Sequence, residues 1–213
     1  VKSIMTEASL RERICRLGRS LHDRGYAVGG AGNLSARLPD GGFLVTPTGS
    51  CLGRLAPDRL AHVDADGVPQ AGPKPSKEFA FHHALYRERP QAGAVVHLHS
   101  TYLTALSCRR DLNATNAIRA FTPYYVMRIG ALPVVPYLKP GDPEIARALA
   151  KLAATTSTNA FLLASHGPVV IGRDIEDAID NAEELEETAK LFFLLRHDDI
   201  RYLTGDETAQ LRT

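Results

Sequence analysis

Apolar residues along this chain recur with two periods, and the switches between them mark out helices and short strands. Leu10, Ile14, Leu17 and Leu21 share one helical face, and Gly25 stands where such a helix would end. Strand-like pieces follow from Ala36 to Leu38 and from Phe43 to Thr46. The turn Pro39-Asp40-Gly41-Gly42 joins them as a hairpin, and Asp66-Gly67 between Val63 and Val68 signals a second. Pro75-Ser76-Lys77-Glu78 opens a helix that carries Phe79, Leu85 and Tyr86 and stops before Pro90, with Ser76 as its expected N-cap.

The apolar run Ala94-Val95-Val96 leads into His97 and His99 and then a helix from Tyr102 to Ser107. Leu132 to Tyr137 reads as a strand. Asp142-Pro143-Glu144 supplies a cap and a proline at the first helical position, opening a helix through Ala154. A second apolar run, Phe161 to Ala164, ends in Ser165-His166-Gly167 and is followed by the strand Val169 to Ile171. Asp174 caps a long helix whose inner face holds Ile175, Ala178, Ile179, Ala182, Leu185, Ala189 and Phe192. Its Glu183, Glu184, Glu186 and Glu187 read as a solvated face, Glu186 standing four residues before Lys190. No repeat, low-complexity stretch or linker interrupts the pattern. Residues 1–213 therefore read as one α/β domain with a largely antiparallel sheet between helical layers.

Composition narrows the choice of partners. The chain is 213 residues long, with 44% hydrophobic and 23% charged residues, enough for a sizeable core. A net charge of +1 gives no global field for nucleic acid or a membrane surface, but leaves room for a small anionic substrate held by local groups. No apolar stretch approaches the ~20 residues that span a bilayer. Val1-Lys2-Ser3-Ile4-Met5 lacks the features of a signal peptide, and Met5 is a candidate natural start. Cys15, Cys51 and Cys108 are widely spaced and form no CxxC, so small buried thiols in a reducing cytoplasm are expected rather than a disulfide framework.

The histidines carry the candidate chemistry. In extended chain, His97 and His99 point to one face with Leu98 on the other, so both imidazoles can reach one metal ion. His166, after the second apolar run, is a candidate third ligand. Three imidazoles with a fourth position open describe a catalytic rather than a structural site. The same spacing also suits hydrogen-bonded structural histidines. His22, His62, His82, His83 and His197 have no comparable setting, and His82 and His83 read as packing or surface residues of a helix. Glu78 sits near a helix N-terminus, where backbone N–H groups favour a carboxylate or a substrate phosphate, and is also readable as a simple capping acid. Gly32-Asn33-Leu34-Ser35 and Thr46-Pro47-Thr48-Gly49 are turns able to offer N–H groups to a phosphate, though neither is a P-loop.

Taken in order, Gly32-Asn33-Leu34-Ser35, Thr48-Gly49, Pro75-Ser76-Lys77-Glu78, His97-Leu98-His99-Ser100, His166-Gly167 and the Asp174 helix resemble the class II aldolase/adducin family over nearly the whole chain. The resemblance implies a three-layer α/β/α sandwich around a mostly antiparallel sheet, assembled as a homotetramer of C4 symmetry with active sites between subunits. It implies one Zn2+ per subunit held by His97, His99 and His166, with Glu78 as acid/base and an occasional fourth ligand. Gly32, Asn33, Thr48, Gly49 and Ser76 match positions that hold a substrate phosphate. Tyr124 matches a proton donor from a neighbouring subunit, with Tyr125 as the alternative if the alignment slips by one.

One position departs from the sugar-phosphate aldolases of this family, where a second serine usually follows the first; here it is Lys77. A lysine beside the site suits a substrate with an extra carboxylate, and Arg128 is a further candidate contact or a surface ion pair. The Ser-Lys-Glu variant and the Thr-Pro-Tyr-Tyr-Val-Met-Arg segment look most like the branch that decarboxylates 3-oxo-tetronate 4-phosphates. The implied reaction releases CO2 and dihydroxyacetone phosphate through an enediolate. The rivals are a fuculose- or ribulose-phosphate type aldolase, a dehydratase acting on a thio-sugar phosphate, and a non-catalytic adducin-like interaction domain, which would lack the three histidines.

Overall fold

Strict alternation along four residues, Ala94-Val95-Val96-His97, sorts the molecule into two cores. In the computed structural model, which describes residues 6–195 and 199–211, these residues form the fully buried strand β5 (Ala94–His97). Met5 and His197 lie outside the described residues. Val96 and Leu98 face one side, packed with Leu10, Ile14 and Leu21 of α1 (Glu7–Asp23), Leu103 and Leu106 of α3 (Thr101–Ser107), and Ile175, Ala178 and Leu185 of α6 (Ile175–Leu194). Val95 faces the other, packed with Phe81 and Leu85 of α2 (Phe79–Glu88) and Ile145 and Leu149 of α5 (Pro143–Thr155). Two helical layers therefore sandwich one sheet, each contributing the apolar stripe that helical spacing puts on one face.

The sheet has eight strands: β1 (Asn33–Arg37), β2 (Phe43–Val45), β3 (Ala61–Val63), β4 (Pro69–Ala71), β5, β6 (Val134–Val135), β7 (Ala160–Leu163) and β8 (Gly167–Gly172), in the order β4-β3-β2-β1-β5-β8-β7-β6. All neighbours are antiparallel except the parallel pair β6–β7. The expected mostly antiparallel sheet between helices is what the chain forms. Register places the site. Asn33 lies opposite His97, and His97 opposite Val169, so all three share the face that α2 covers.

Several elements differ from the pattern-based reading. The segment read as a glycine-rich turn becomes strand from Asn33 onward, because Leu34 and Ala36 are buried in the first core. The Leu132–Tyr137 strand shrinks to Val134–Val135, while α4 (Pro123–Arg128) and α7 (Gly205–Gln210) arise where patterning assigned nothing. Ser76 is not the cap of α2. The helix starts at Phe79 with Glu78 in the cap position, and the Ser76 hydroxyl instead accepts from the Glu78 amide at 3.3 Å. The expected caps Asp142 and Asp174 are in place, accepting from Glu144 and Asp177 amides.

The acidic face of α6 is only partly solvated. Glu183 pairs with Arg24 at 2.6 Å, and Lys190 pairs with Glu187, not Glu186. Glu186 itself is buried, because its hydrogen-bond partners come from the start of α3, 83 to 86 residues away in sequence.

Candidate active site

His97 is the last residue of the central strand β5, and His99 follows after one residue, on the same face by the alternation that buries Leu98 in the opposite core. His166 arrives from the three-residue turn between β7 and β8. Ser165, with φ 54°, supplies the left-handed residue that such tight hairpins use. Gly167 then passes so close to the next segment that a Cβ there would collide with the Leu98 carbonyl oxygen, and a Cβ on Gly32 would stand 3.0 Å from the His97 carbonyl oxygen. The stretch carrying both histidines is thus clasped between two backbone approaches that admit only glycine.

These placements bring the three imidazoles together. Ring centroids lie 4.8 to 4.9 Å apart, the Nε2 atoms of His97 and His99 are 3.0 Å apart, and one nitrogen of each ring lies within 4.8 Å of the others. The Glu78 carboxylate closes the group, with Oε2 3.5 Å from His97 Nε2 and Oε1 3.5 Å from His166 Nε2. Asn33, opposite His97 in the sheet, donates its side-chain amide to Glu78 Oε2 at 2.8 Å.

The protonation states suit cation binding. His97 Nδ1 stands 2.8 Å from the Pro168 carbonyl, an acceptor, so this nitrogen carries the proton and Nε2 turns a lone pair toward His99 and Glu78. Burial, reinforced by the neighbouring imidazoles, pushes His97 well below the ordinary histidine value, and burial also lowers His99 and His166. Three neutral imidazoles and a carboxylate facing one point make a donor set that fits a divalent cation. Ligands ~2.0–2.1 Å from a tetrahedral zinc ion would lie about 3.4 Å from one another. The His97–His99 contact of 3.0 Å and the two Glu78 contacts of 3.5 Å bracket that spacing, while the imidazole nitrogens as a set lie within 4.8 Å.

A cavity of about 600 Å³ opens onto the cluster, lined by Asn33, Thr48, Ser76, Lys77, Glu78 and His166 among others. The two glycine-rich turns reach it by separate routes. Gly32 and Asn33 lead into β1, while Thr48 and Ser76 are tied together through an isolated bridge between Pro47 and Pro75 and the hydrogen bonds Thr48 N to Lys74 O and Ser76 N to Thr46 O. Lys77 has no carboxylate within ion-pair distance among the described residues, and its charge lowers the His166 imidazole further. Among the described residues, Asn33 Oδ1, His166 Nδ1 and His82 Nε2 are buried without a hydrogen-bond partner; Asn33 and His166 line the cavity, and His82 does not.

The profile described as Class II Aldolase and Adducin N-terminal domain matches residues 12–193. The chain belongs to this family. A 3-oxo-tetronate 4-phosphate decarboxylase of Escherichia coli is 59% identical over 207 residues, covering 97% of each chain. An L-fuculose phosphate aldolase of Methanocaldococcus jannaschii is 35% identical over 184 residues, covering 86% of this chain and 96% of the aldolase. The structure of YgbL from Klebsiella pneumoniae, described as an aldolase, epimerase or decarboxylase, superposes with a TM-score of 0.95 at 58% identity, covering 98% of this chain and all of that one. The class II aldolase fold is thereby shared across the whole sheet.

Within one class II aldolase-like chain, three of the candidate residues, Tyr124, Tyr125 and Arg128, do not join the cluster. Tyr124 is 60% exposed and lines a separate hollow with Arg89, Met127, Arg128 and Asn181, at the end of the β5–β8 pair opposite to His97. Arg128 bonds Asn181 and pairs with Asp180 there. Tyr125 is fully buried, its hydroxyl 2.8 Å from Asn116 Oδ1, and burial raises its phenol well above the usual value, which suits packing rather than proton donation.

Pattern reading left out two contributors, and it read His82 correctly as a packing residue. Ser165 and Thr104 line the cavity without a motif to mark them. His82 is fully buried, and its Nδ1 lies 2.7 Å from the Ser35 hydroxyl, which is 2.9 Å from the Tyr86 hydroxyl. Asn33 and Ser35 alternate onto one face of β1, and Glu78 and His82 lie four apart on or beside α2, so the two contacts form successive rungs between strand and helix.

Proposed function

We propose that this protein decarboxylates a 3-oxo-tetronate 4-phosphate to dihydroxyacetone phosphate and CO2. The observation that carries the reading is the convergence of His97, His99, His166 and Glu78 at one point beside Lys77, which has no ion-pair partner among the described residues. The higher identity to the decarboxylase than to the fuculose phosphate aldolase points the same way. His97, His99 and His166 would hold one Zn2+ per subunit, which as a Lewis acid offsets negative charge developing on the substrate oxygens.

The chain's own residues account for the remaining steps. Lys77 holds the substrate carboxylate, and Gly32, Asn33, Thr48, Gly49 and Ser76 hold the phosphate through short polar groups and backbone amides. In a 3-oxo acid the carbonyl lies β to the carboxylate, so the electron pair of the breaking C1–C2 bond passes into an enediolate as CO2 leaves. A proton is then delivered to C2, giving dihydroxyacetone phosphate. We assign that transfer to Glu78, oriented by Asn33, which takes the proton from solvent through the open cavity and passes it to C2; Tyr124 of a neighbouring subunit is the alternative donor. A donor from a neighbouring subunit would put the sites between subunits, in keeping with the homotetramer that the family resemblance implies, each chain acting as a single domain. No helix among the described residues is long and apolar enough to cross a membrane, and the three cysteines are unpaired, which supports a cytoplasmic setting.

The deciding experiment is incubation with a 3-oxo-tetronate 4-phosphate and, separately, with fuculose 1-phosphate. CO2 and dihydroxyacetone phosphate from the first, without lactaldehyde from the second, is the expected result. The reverse pattern would assign the chain to the aldolases.

A further inference from the structure

Helix α6 contributes a buried carboxylate that the proposed reaction does not use. Glu186 is 6% exposed, and its oxygens accept from the Ser100 hydroxyl at 2.7 Å and from the Tyr102 and Leu103 amides at 2.7 and 2.9 Å. Those two amides belong to the first turn of α3, where N–H groups have no partner within the helix. Ser100 directly follows His99.

The other end of α3 meets the third histidine. The Ser107 carbonyl accepts from the Ser165 amide at 2.9 Å, and the Ser107 hydroxyl accepts from the His166 amide at 3.1 Å. Helix α3 is therefore a strut two turns long, continuous with His99 at its start and bonded to the turn of His166 at its finish. Its position along and about its own axis is fixed at the start by one carboxylate from α6.

Resting on the metal-centre reading, we propose that Glu186 is a positioning residue for that centre. By pinning α3 it sets the separation of His99 from His166, and so tunes metal affinity from outside the cavity. The charge matters as well as the shape. All three partners are donors, and a glutamine would direct an NH2 group at one of them, leaving the first turn of α3 free to shift.

The test uses full-length protein stripped with a chelator, comparing wild type with Glu186→Gln, Glu186→Asp, Ser100→Ala and His99→Ala. Zinc affinity is read by competition with a chromogenic chelator, the ligand field by the visible spectrum of the cobalt-loaded protein, and fold by the melting temperature of the metal-free form. Glu186→Gln should weaken zinc binding by about 10–100-fold, the range typical of outer-shell changes, and alter the cobalt bands. Ser100→Ala should do so less, Glu186→Asp should recover part of the loss, and His99→Ala should abolish binding. Wild-type zinc affinity and cobalt bands in both Glu186→Gln and Ser100→Ala, whatever their melting temperatures, would overturn the proposal while leaving the centre intact. Should Glu186→Gln not fold, Ser100→Ala decides by the same criterion. Absence of zinc and cobalt binding in the wild type would instead remove the metal centre itself.

Discussion

Asn33 and Glu78, 45 residues apart, meet at 2.8 Å because β1 places Asn33 opposite His97 and α2 begins above that point. A hydrogen bond to a carboxylate is worth about 1.5–3 kcal/mol, or roughly ten- to hundredfold in rate if it is needed in the transition state. Asn33→Ala should therefore lower kcat by that factor if its main task is to aim Glu78. If Asn33 serves mainly the phosphate, KM rises and kcat is preserved. Steady-state kinetics on the decarboxylation separates the two.

Glu78→Gln should reduce kcat by ~10²–10³ while leaving zinc bound, since the three histidines remain. Metal analysis beside the kinetics checks both halves. Full activity in this variant would remove Glu78 from the mechanism.

Gly167→Ala should cost about 1–3 kcal/mol in stability, because the added methyl collides with the backbone carbonyl of Leu98 rather than with a flexible side-chain end. Gly49→Ala, where a Cβ meets nothing within 4 Å, controls for the strain of a positive φ alone. Denaturant melts of the two variants make the comparison; equal losses would mean that backbone conformation, not the close approach, is what matters at Gly167.

His82 yields a pH dependence with a definite sign. Burial depresses its value from 6.5 to about 3. Above pH 6.5 it is neutral in both states and contributes no slope. Between 6.5 and 3 the unfolded chain binds a proton that the folded chain refuses, so stability falls as pH falls, by about 1.4 kcal/mol per unit. Urea unfolding of metal-free protein between pH 8 and pH 5 should show this loss, and His82→Gln should lessen the slope by about one proton. Parallel slopes for the two proteins would count against it.

Tyr124 provides a test of the shared site. If Tyr124 of a neighbouring subunit is the proton donor and Glu78 the base that works with it, Tyr124→Phe and Glu78→Gln should each be nearly inactive as homogeneous proteins. In a ring where each site draws on two neighbouring chains, a 1:1 mixture after subunit exchange should regain about a quarter of wild-type activity, the fraction of interfaces carrying both intact residues. No recovery in demonstrably mixed oligomers would place Tyr124 outside the site.

What could be read from sequence followed from how local each signal was. The alternation around His97, the caps at Asp142 and Asp174 and the inner face of α6 depend on neighbours within a few residues, and all appear in the fold. Helix α4 was missed because Tyr124, Tyr125 and Val126 favour strands, and only the Thr122-Pro123 start betrays it. Glu186 was misread because its spacing to Lys190 mimics a solvated pair, while its true partners, Ser100, Tyr102 and Leu103, are distant in sequence. The Ser35–His82–Tyr86 cluster is hidden for the same reason: Ser35 lies on β1 and His82 and Tyr86 on α2, 47 and 51 residues away.

The pairing Asn33–His97–Val169 also has a consequence during synthesis. The central strand joins one partner made 64 residues earlier and another made 72 residues later, and the turn bearing His166 is held only once that later partner docks. A ribosome-bound chain that has not yet emitted His166 and β8 owns two of the imidazoles but no means of closing them around an ion. Loading should accordingly wait for the finished polypeptide, with the slow, long-range closure of the sheet as its timer.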